Sequence, residues 1–289
     1  MARVAITGAA GQLGRQLVRA FEAAGDEVRG LTRGELDITT PSASGAFAGW
    51  TPEIVVNAAA WTDVDGCARD PDRAMRINGE AAGRVAALSS LHGALAVQVS
   101  TNEVFAGTSH RPYREDDSPN PINAYGASKL AGERAVAALN DRHLIVRTAW
   151  LFGPGGTNFV TKILAAAVRA AESGEPMRIV DDEWGNPTWT PDLAKVIAGL
   201  AHAAGERESR VVHAAGTPAT SRLGWATAAF GGAGVEVEVR PVSVRSFERA
   251  STPPARAVLE PSEDLPHMDW RPVTAEYAAQ IVQPAGWPA

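Results

Sequence analysis

A doubly wound parallel α/β sheet with a smaller C-terminal lobe is the fold class this sequence predicts. Three observations carry that prediction. Short β-type runs alternate with helical ones through the first half of the 289 residues. A glycine-rich turn, Gly8-Ala9-Ala10-Gly11-Gln12-Leu13-Gly14, joins the first run to the first helix. Past Leu151 the alternation loosens into Gly/Pro turns at 153–156 and 185–187.

Taken in order, the strand-like runs are 4–7, 27–31, 54–57, 94–100 and 143–148, and the helical ones are 12–24, 71–91 and 125–139. Thr190-Pro191-Asp192 opens a further capped helix over 190–204, with proline at its first position. Residues 235–239 form a strand candidate in the lobe, and Ser251-Thr252-Pro253-Pro254 is a turn or loop. This reading assigns 1–151 to a dinucleotide-binding unit to which 185–206 return, and 152–184 with 207–289 to a substrate-binding lobe. Ligands of such sheets bind at the carboxyl ends of the strands. Four segments fall there: residues 8–14, 58–62, Thr101 and Trp150.

The glycine turn has a physical use. Glycines permit a tight turn and let backbone N–H groups and the helix N-terminus approach a pyrophosphate. The spacing is G-x-x-G-x-x-G rather than G-x-G-x-x-G, and a tight turn with no ligand would read the same way. Its N-terminal place, and a second motif, favour a cofactor site of Rossmann type. That motif is Tyr125-Gly126-Ala127-Ser128-Lys129. A Tyr and a Lys four apart share one helix face. An ammonium beside a phenol lowers its pKa from about 10 towards the range of a working acid or base. The chain has only three lysines among its 27 basic residues, so the pairing stands out.

Bulk properties exclude several classes. A net charge of −6 and no dense basic cluster argue against nucleic-acid binding. One cysteine, Cys67, excludes an internal disulfide and a cysteine-rich metal site, and the six histidines lack ligand spacing. No apolar stretch reaches transmembrane length and no signal-peptide pattern opens the chain, so the expected setting is cytoplasmic, without membrane contact. No metal is expected.

With these motifs in place, the chain resembles the extended short-chain dehydrogenase/reductases. More narrowly, it is similar to the dTDP-4-dehydrorhamnose reductases, which reduce the C4 ketone of a nucleotide-linked 6-deoxy-4-ketohexose. The carrying segments are 6–14, Leu36-Asp37-Ile38-Thr39, 56–65, Val99-Ser100-Thr101, 125–133, Val146-Arg147-Thr148-Ala149-Trp150 and 181–188. The resemblance implies an NAD(P)H-dependent oxidoreductase acting on a dTDP-linked 4-ketohexose, in dTDP-L-rhamnose or related deoxysugar synthesis. It implies that Tyr125 protonates the ketone oxygen, that Lys129 holds the nicotinamide ribose, and that Thr101 orients the ketone. Cofactor contacts would come from Gly8, Gly11, Gln12, Leu13 and Gly14 around the pyrophosphate. Asp37 and Ile38 would lie at the adenine, and Ala60, Trp61 and Thr62 at the ribose. Substrate contacts would come from Thr101, Asn102, Glu103 and Trp150. Thr32-Arg33 after the second strand offers a cation and no repelling carboxylate, which favours NADPH, with NADH as the alternative.

Three positions depart from that family. Thr101-Asn102-Glu103 stands where Thr-Asp-Tyr is usual. It is close to the Thr-Asp-Glu of the sugar-nucleotide 4,6-dehydratases, but an amide cannot deliver the acid's proton. Ser251-Thr252-Pro253-Pro254 lacks the usual arginine before proline. Gln16 replaces a glutamate that binds magnesium in some members. The alternatives are therefore a dehydratase-like enzyme or a non-catalytic regulatory subunit on the same fold. Monomer and homodimer are both open.

Overall fold

The computed structural model describes residues 1–40, 47 and 49–282. The first half runs β1 (Arg3–Thr7), α1 (Gln12–Ala23), β2 (Glu27–Leu31), β3 (Ile54–Asn57), α2 (Val64–Arg69), α3 (Pro71–Ala74), α4 (Ala81–Leu91), β4 (Leu95–Thr101), α5 (Ala124–Leu139) and β5 (His143–Thr148). The second half adds β6 (Leu151–Phe152), α6 (Phe159–Ser173), β7 (Met177–Val180), β8 (Trp184–Gly185), β9 (Thr188–Trp189), α7 (Thr190–Ala203) and β10 (Ser209–His213). It closes with β11 (Thr220–Ser221), α8 (Arg222–Ala233), β12 (Val239–Val242) and α9 (Trp270–Val282).

Six strands form one parallel sheet in the order β10-β5-β4-β3-β1-β2. Alternation along β1 sorts its side chains to two cores. Val4 and Ile6 pack with Leu17 and Phe21 of α1 and with Leu193 and Ile197 of α7, all fully buried. Ala5 faces the other side, with Val55, Val85 and Leu88. A third core, built from Phe152, Leu164, Ile179, Trp225, Phe230 and Trp270, holds the C-terminal segments together.

Three expectations change. The segment 207–289 does not lie wholly in the lobe, because β10 pairs with β5 residue for residue and completes the large sheet. Its residues 283–289 lie outside the described residues, as do 41–46 and 48 of the N-terminal unit. The strand expected over 235–239 lies at β12 instead, where parallel pairing with β7 selects Val239–Val242. The helix expected over 71–91 contains a π-helical stretch, Met75–Glu80, between α3 and α4. That wide turn buries Asn78, whose Oδ1 accepts from Trp61 N (2.8 Å) and whose Nδ2 donates to Trp61 O (3.0 Å) and Ser128 Oγ (3.0 Å). One asparagine thereby ties the loop after β3 to α5. Among the described residues, no helix is long and apolar enough to cross a membrane.

Candidate active site

Strand order reverses between the parallel neighbours β1 and β3, with β2 added on one side and β3, β4 and β5 on the other, so the connections leave on opposite faces and a crevice opens at the carboxyl ends. Two cavities meet in it, and Gly11, Ala58 and Ala60 line both. One, of about 330 Å³, is lined by Gly8, Thr32, Arg33, Asp37, Ile38 and Trp61. The other, of about 410 Å³, is lined by Gln12, Leu13, Gly14, Thr62, Thr101, Asn102, Glu103, Tyr125, Lys129 and Trp150. Every sequence-predicted site residue therefore borders one continuous groove. A larger cavity, about 660 Å³, lies elsewhere beside α7 and contains none of them.

At the joint of the two cavities sits the glycine turn. A Cβ on Gly14 would stand 2.1 Å from Gly8 O, so α1 can pack this closely on the turn only without a side chain there. Gly11 caps α1 without any side-chain hydrogen bond, and no acidic residue occupies the first turn. The helix thus presents open N–H groups and its positive dipole end to the crevice, an arrangement that fits a dinucleotide's pyrophosphate. The Gln12 side chain is committed elsewhere: its Nε2 donates to Gly153 O at 2.5 Å. Its backbone, rather than its amide, faces the joint.

The Tyr/Lys helix is brought in by α5. Asn123 caps that helix, accepting from Gly126 N at 2.8 Å. A Cβ on Gly126 would stand 2.0 Å from Glu103 O, so glycine lets the helix start ride directly on the turn after β4. Lys129 is 4 % exposed, and its Nζ donates to Val99 O at 2.6 Å. Val99 O also accepts from Gln98 Nε2 (2.8 Å), Gln98 Oε1 accepts from Asn57 Nδ2 (2.7 Å), and Asn57 Oδ1 accepts from Thr7 Oγ1 (2.6 Å). A chain of buried hydrogen bonds therefore runs from the residue before the glycine turn to the ammonium. One turn further along α5, Glu133 accepts Arg147 Nε (3.0 Å) and Nη2 (2.8 Å) together with Ser100 Oγ (2.5 Å).

Electrostatics here run opposite to the simple expectation for Tyr125. Burial raises its pKa above 10, the charge of Glu103 adds to the rise, and hydrogen bonding to Thr101 only partly opposes it. The expected lowering by Lys129 is not seen: burial and the Glu103 charge outweigh it, and the ammonium is turned to Val99 O. Burial lowers the Lys129 pKa to about 8, against the pull of Glu133. The phenol therefore keeps its proton at neutral pH, and the ammonium is mostly charged.

Around the mouth, Asn102 turns its Nδ2 to Ala257 O (2.9 Å), an anchoring bond across 155 residues. Glu103 accepts from Asn123 Nδ2 at 2.7 Å, and burial raises its pKa. Trp150 is held with φ 44°, a left-handed backbone that costs a non-glycine residue of order 1–3 kcal/mol. Its ring is fixed by the Arg222 guanidinium 3.6 Å from its centroid and by stacking on Trp225 at 5.8 Å. Arg222 in turn pairs with Glu183 at 2.7 Å, and Arg249 lies 3.8 Å from both Glu183 and Asp65. Sequence reading singled out neither arginine, since each is placed by partners 39 or more residues away. Arg249 and Arg256 bracket the segment 251–254 in sequence, and Arg256 stacks on Trp184 at 5.0 Å.

At the other end, among the described residues, Arg33 pairs with Asp37 alone, at 3.4 Å, and is 77 % exposed. Hydrogen bonds from Thr39 hold the Asp37 carboxyl below its usual range. Glu35 accepts from Thr32 N (2.8 Å) and Oγ1 (2.7 Å). Arg73, unmarked in the sequence, stacks on Trp61 at 4.4 Å and lines this cavity. Gln16 is buried in α1. Among the described residues, no group of three or more His, Cys, Asp or Glu could hold a metal ion.

A parallel sheet with a glycine turn at its switch point, and a Tyr/Lys helix facing that turn, defines the extended short-chain dehydrogenase/reductase class. The chain belongs to the family described as RmlD substrate binding domain, whose model matches residues 2–282. It is 40% identical over 295 residues to the dTDP-4-dehydrorhamnose reductase of Streptomyces griseus, covering 98% of this chain and 95% of that one. A probable dTDP-4,6-dihydroxy-2-methyloxan-3-one 4-ketoreductase of Streptomyces antibioticus is 36% identical, covering 96% and 95%. Among solved structures, the dTDP-4-dehydrorhamnose reductase of Bacillus anthracis in complex with NADP superposes with a TM-score of 0.88. It is 34% identical, with 96% of this chain and 99% of that one covered.

Proposed function

We propose that this chain reduces the C4 ketone of a dTDP-linked 4-keto-6-deoxyhexose with NADPH, in the cytoplasm, on the way to dTDP-L-rhamnose or a related deoxysugar. One observation carries the reading: Tyr125, Lys129 and Thr101 border the same cavity as the glycine turn, in a chain with reductase relatives along its whole length. Gly8, Gly11, Leu13 and Gly14 would hold the pyrophosphate, Asp37 and Ile38 the adenine side, Thr32 and Arg33 a ribose 2′-phosphate, and Lys129 the nicotinamide ribose. Bound there, NADPH supplies the hydride for the ketone carbon. As negative charge builds on the ketone oxygen, the Tyr125 hydroxyl delivers its proton and the Thr101 hydroxyl holds that oxygen in line. A raised tyrosine pKa suits this direction of reaction, because the acid begins protonated. Trp150, rigid against Arg222, forms the wall against which the sugar lies.

Asn102 and Glu103 contribute through position: the first anchors the loop, and the second offers a carboxyl to a sugar hydroxyl. All groups named come from one chain, so the reading holds for a monomer or a homodimer. Consumption of NADPH with dTDP-4-keto-6-deoxyhexoses, repeated with Tyr125→Phe, tests it. Turnover by the wild-type chain, abolished in the variant, is expected. A folded wild-type chain inert towards a panel of C3- and C5-epimeric ketosugars would overturn it.

A further inference from the structure

Among the described residues, four buried side-chain polar atoms have no hydrogen-bond partner: Thr148 Oγ1, Thr190 Oγ1, Ser251 Oγ and Arg256 Nε. Of these residues, only Thr148 lines the crevice. It ends β5, is 3 % exposed, and is the register partner of Thr101 at the end of β4. Parallel register places the two side chains on the same face of the sheet. Their circumstances differ. Thr101 Oγ1 accepts from Glu103 N (3.2 Å), lies 3.3 Å from Asn102 Oδ1, and bonds to Tyr125. Lys129 is committed to Val99 O. Thr148 holds the buried hydroxyl with both of its hydrogen-bonding capacities unused.

A buried hydroxyl without a partner is unfavourable in the free protein, and a ligand that supplies the partner recovers that loss on binding. Position says which ligand. With adenosine in the smaller cavity and pyrophosphate at the start of α1, the far end of a dinucleotide lies over the carboxyl ends of β4 and β5. A carboxamide presents both a donor and an acceptor, which a threonine hydroxyl can match in either sense. We propose that Thr148 Oγ1 hydrogen-bonds the carboxamide of the nicotinamide ring and so fixes which face of the ring is turned to the ketone. The inference rests on the NADPH reading above and adds to it a positioning residue.

The test is calorimetric binding to the full chain, with Thr148→Val and Thr148→Ser. Two ligands are compared: NADPH, and 2′-phospho-ADP-ribose, which has every part of NADPH except the nicotinamide. The valine variant should bind NADPH about tenfold more weakly, bind 2′-phospho-ADP-ribose as wild type does, and unfold no earlier than wild type when free. Serine should restore NADPH binding. Unchanged NADPH affinity in the valine variant would overturn the proposal, and an isolated rise in KM for the sugar would give the hydroxyl to the substrate instead. Equal weakening of both ligands would reduce it to a structural role. A wild-type chain that binds neither ligand would instead sink the NADPH reading itself.

Discussion

The two ends of the crevice are built differently. At the adenosine end, Arg33 and Glu35 sit in solvent, Asp37 is half-buried, and all three bond to neighbours within four residues of the chain. At the chemical end, Lys129, Glu133 and Arg147 are each 4 % exposed and are held by partners on other elements. The contrast teaches where rigidity is used. A surface charge near a 2′-phosphate needs only to be present, since water screens it and its side chain can adjust. A proton donor must meet a developing charge in a fixed geometry, so its surroundings are buried and cross-linked. Burial then sets the electrostatics, raising Tyr125 and lowering Lys129.

Substitutions at the chemical end should therefore cost far more than those at the adenosine end. Tyr125→Phe removes the proton donor and should lower kcat by about 10²–10⁴-fold with little change in NADPH affinity, read by single-turnover kinetics. Arg147→Met leaves Glu133 buried without its partner and should destabilise the fold by about 3–5 kcal/mol in urea unfolding. A third test uses pH. The Lys129 pKa is lowered from 10.5 to about 8, so the unfolded chain binds the extra proton between those values. Stability of wild type relative to Lys129→Met should therefore rise by up to about 3 kcal/mol as pH increases from 8 to 10.5. A flat difference would mean that burial does not govern this ammonium. The smallest effect belongs to the exposed end. Arg33→Ala should reduce the NADPH-over-NADH preference only about three- to fivefold, and added salt should shrink that further. If Arg33→Ala rivals Tyr125→Phe, the contrast between the ends is lost.

The sequence made the sheet and the site legible to different extents. Strands β1, β3, β4 and β5 are built around apolar runs, and the glycine turn and the Tyr/Lys spacing are local patterns, so both are readable without any partner. Strand β10 was not, since Ser209-Arg210-Val211-Val212-His213 carries its ends in polar residues and is defined by pairing with β5. The alternation Val235, Val237, Val239 suggests a strand, whose start the partner β7 places four residues later. The direction of the Tyr125 shift is hidden for a similar reason: helix spacing shows that Lys129 is near, but not that its ammonium donates to Val99 O, 30 residues away. Arg222, Arg249 and the unpartnered Thr148 hydroxyl are equally invisible one residue at a time.

The carbonyl of Gly153 receives three side chains from separate parts of the chain. Gln12 Nε2 reaches it at 2.5 Å from the first helix, Asn158 Nδ2 at 3.0 Å from the cap of α6, and Tyr277 Oη at 2.8 Å from α9. A fragment ending before α9 would lose more than its own helix. It would slacken the start of α1, some 260 residues upstream, and strip Trp270 and Tyr277 from the third core, so C-terminal clipping should show as poor retention of dinucleotide together with a less stable lobe.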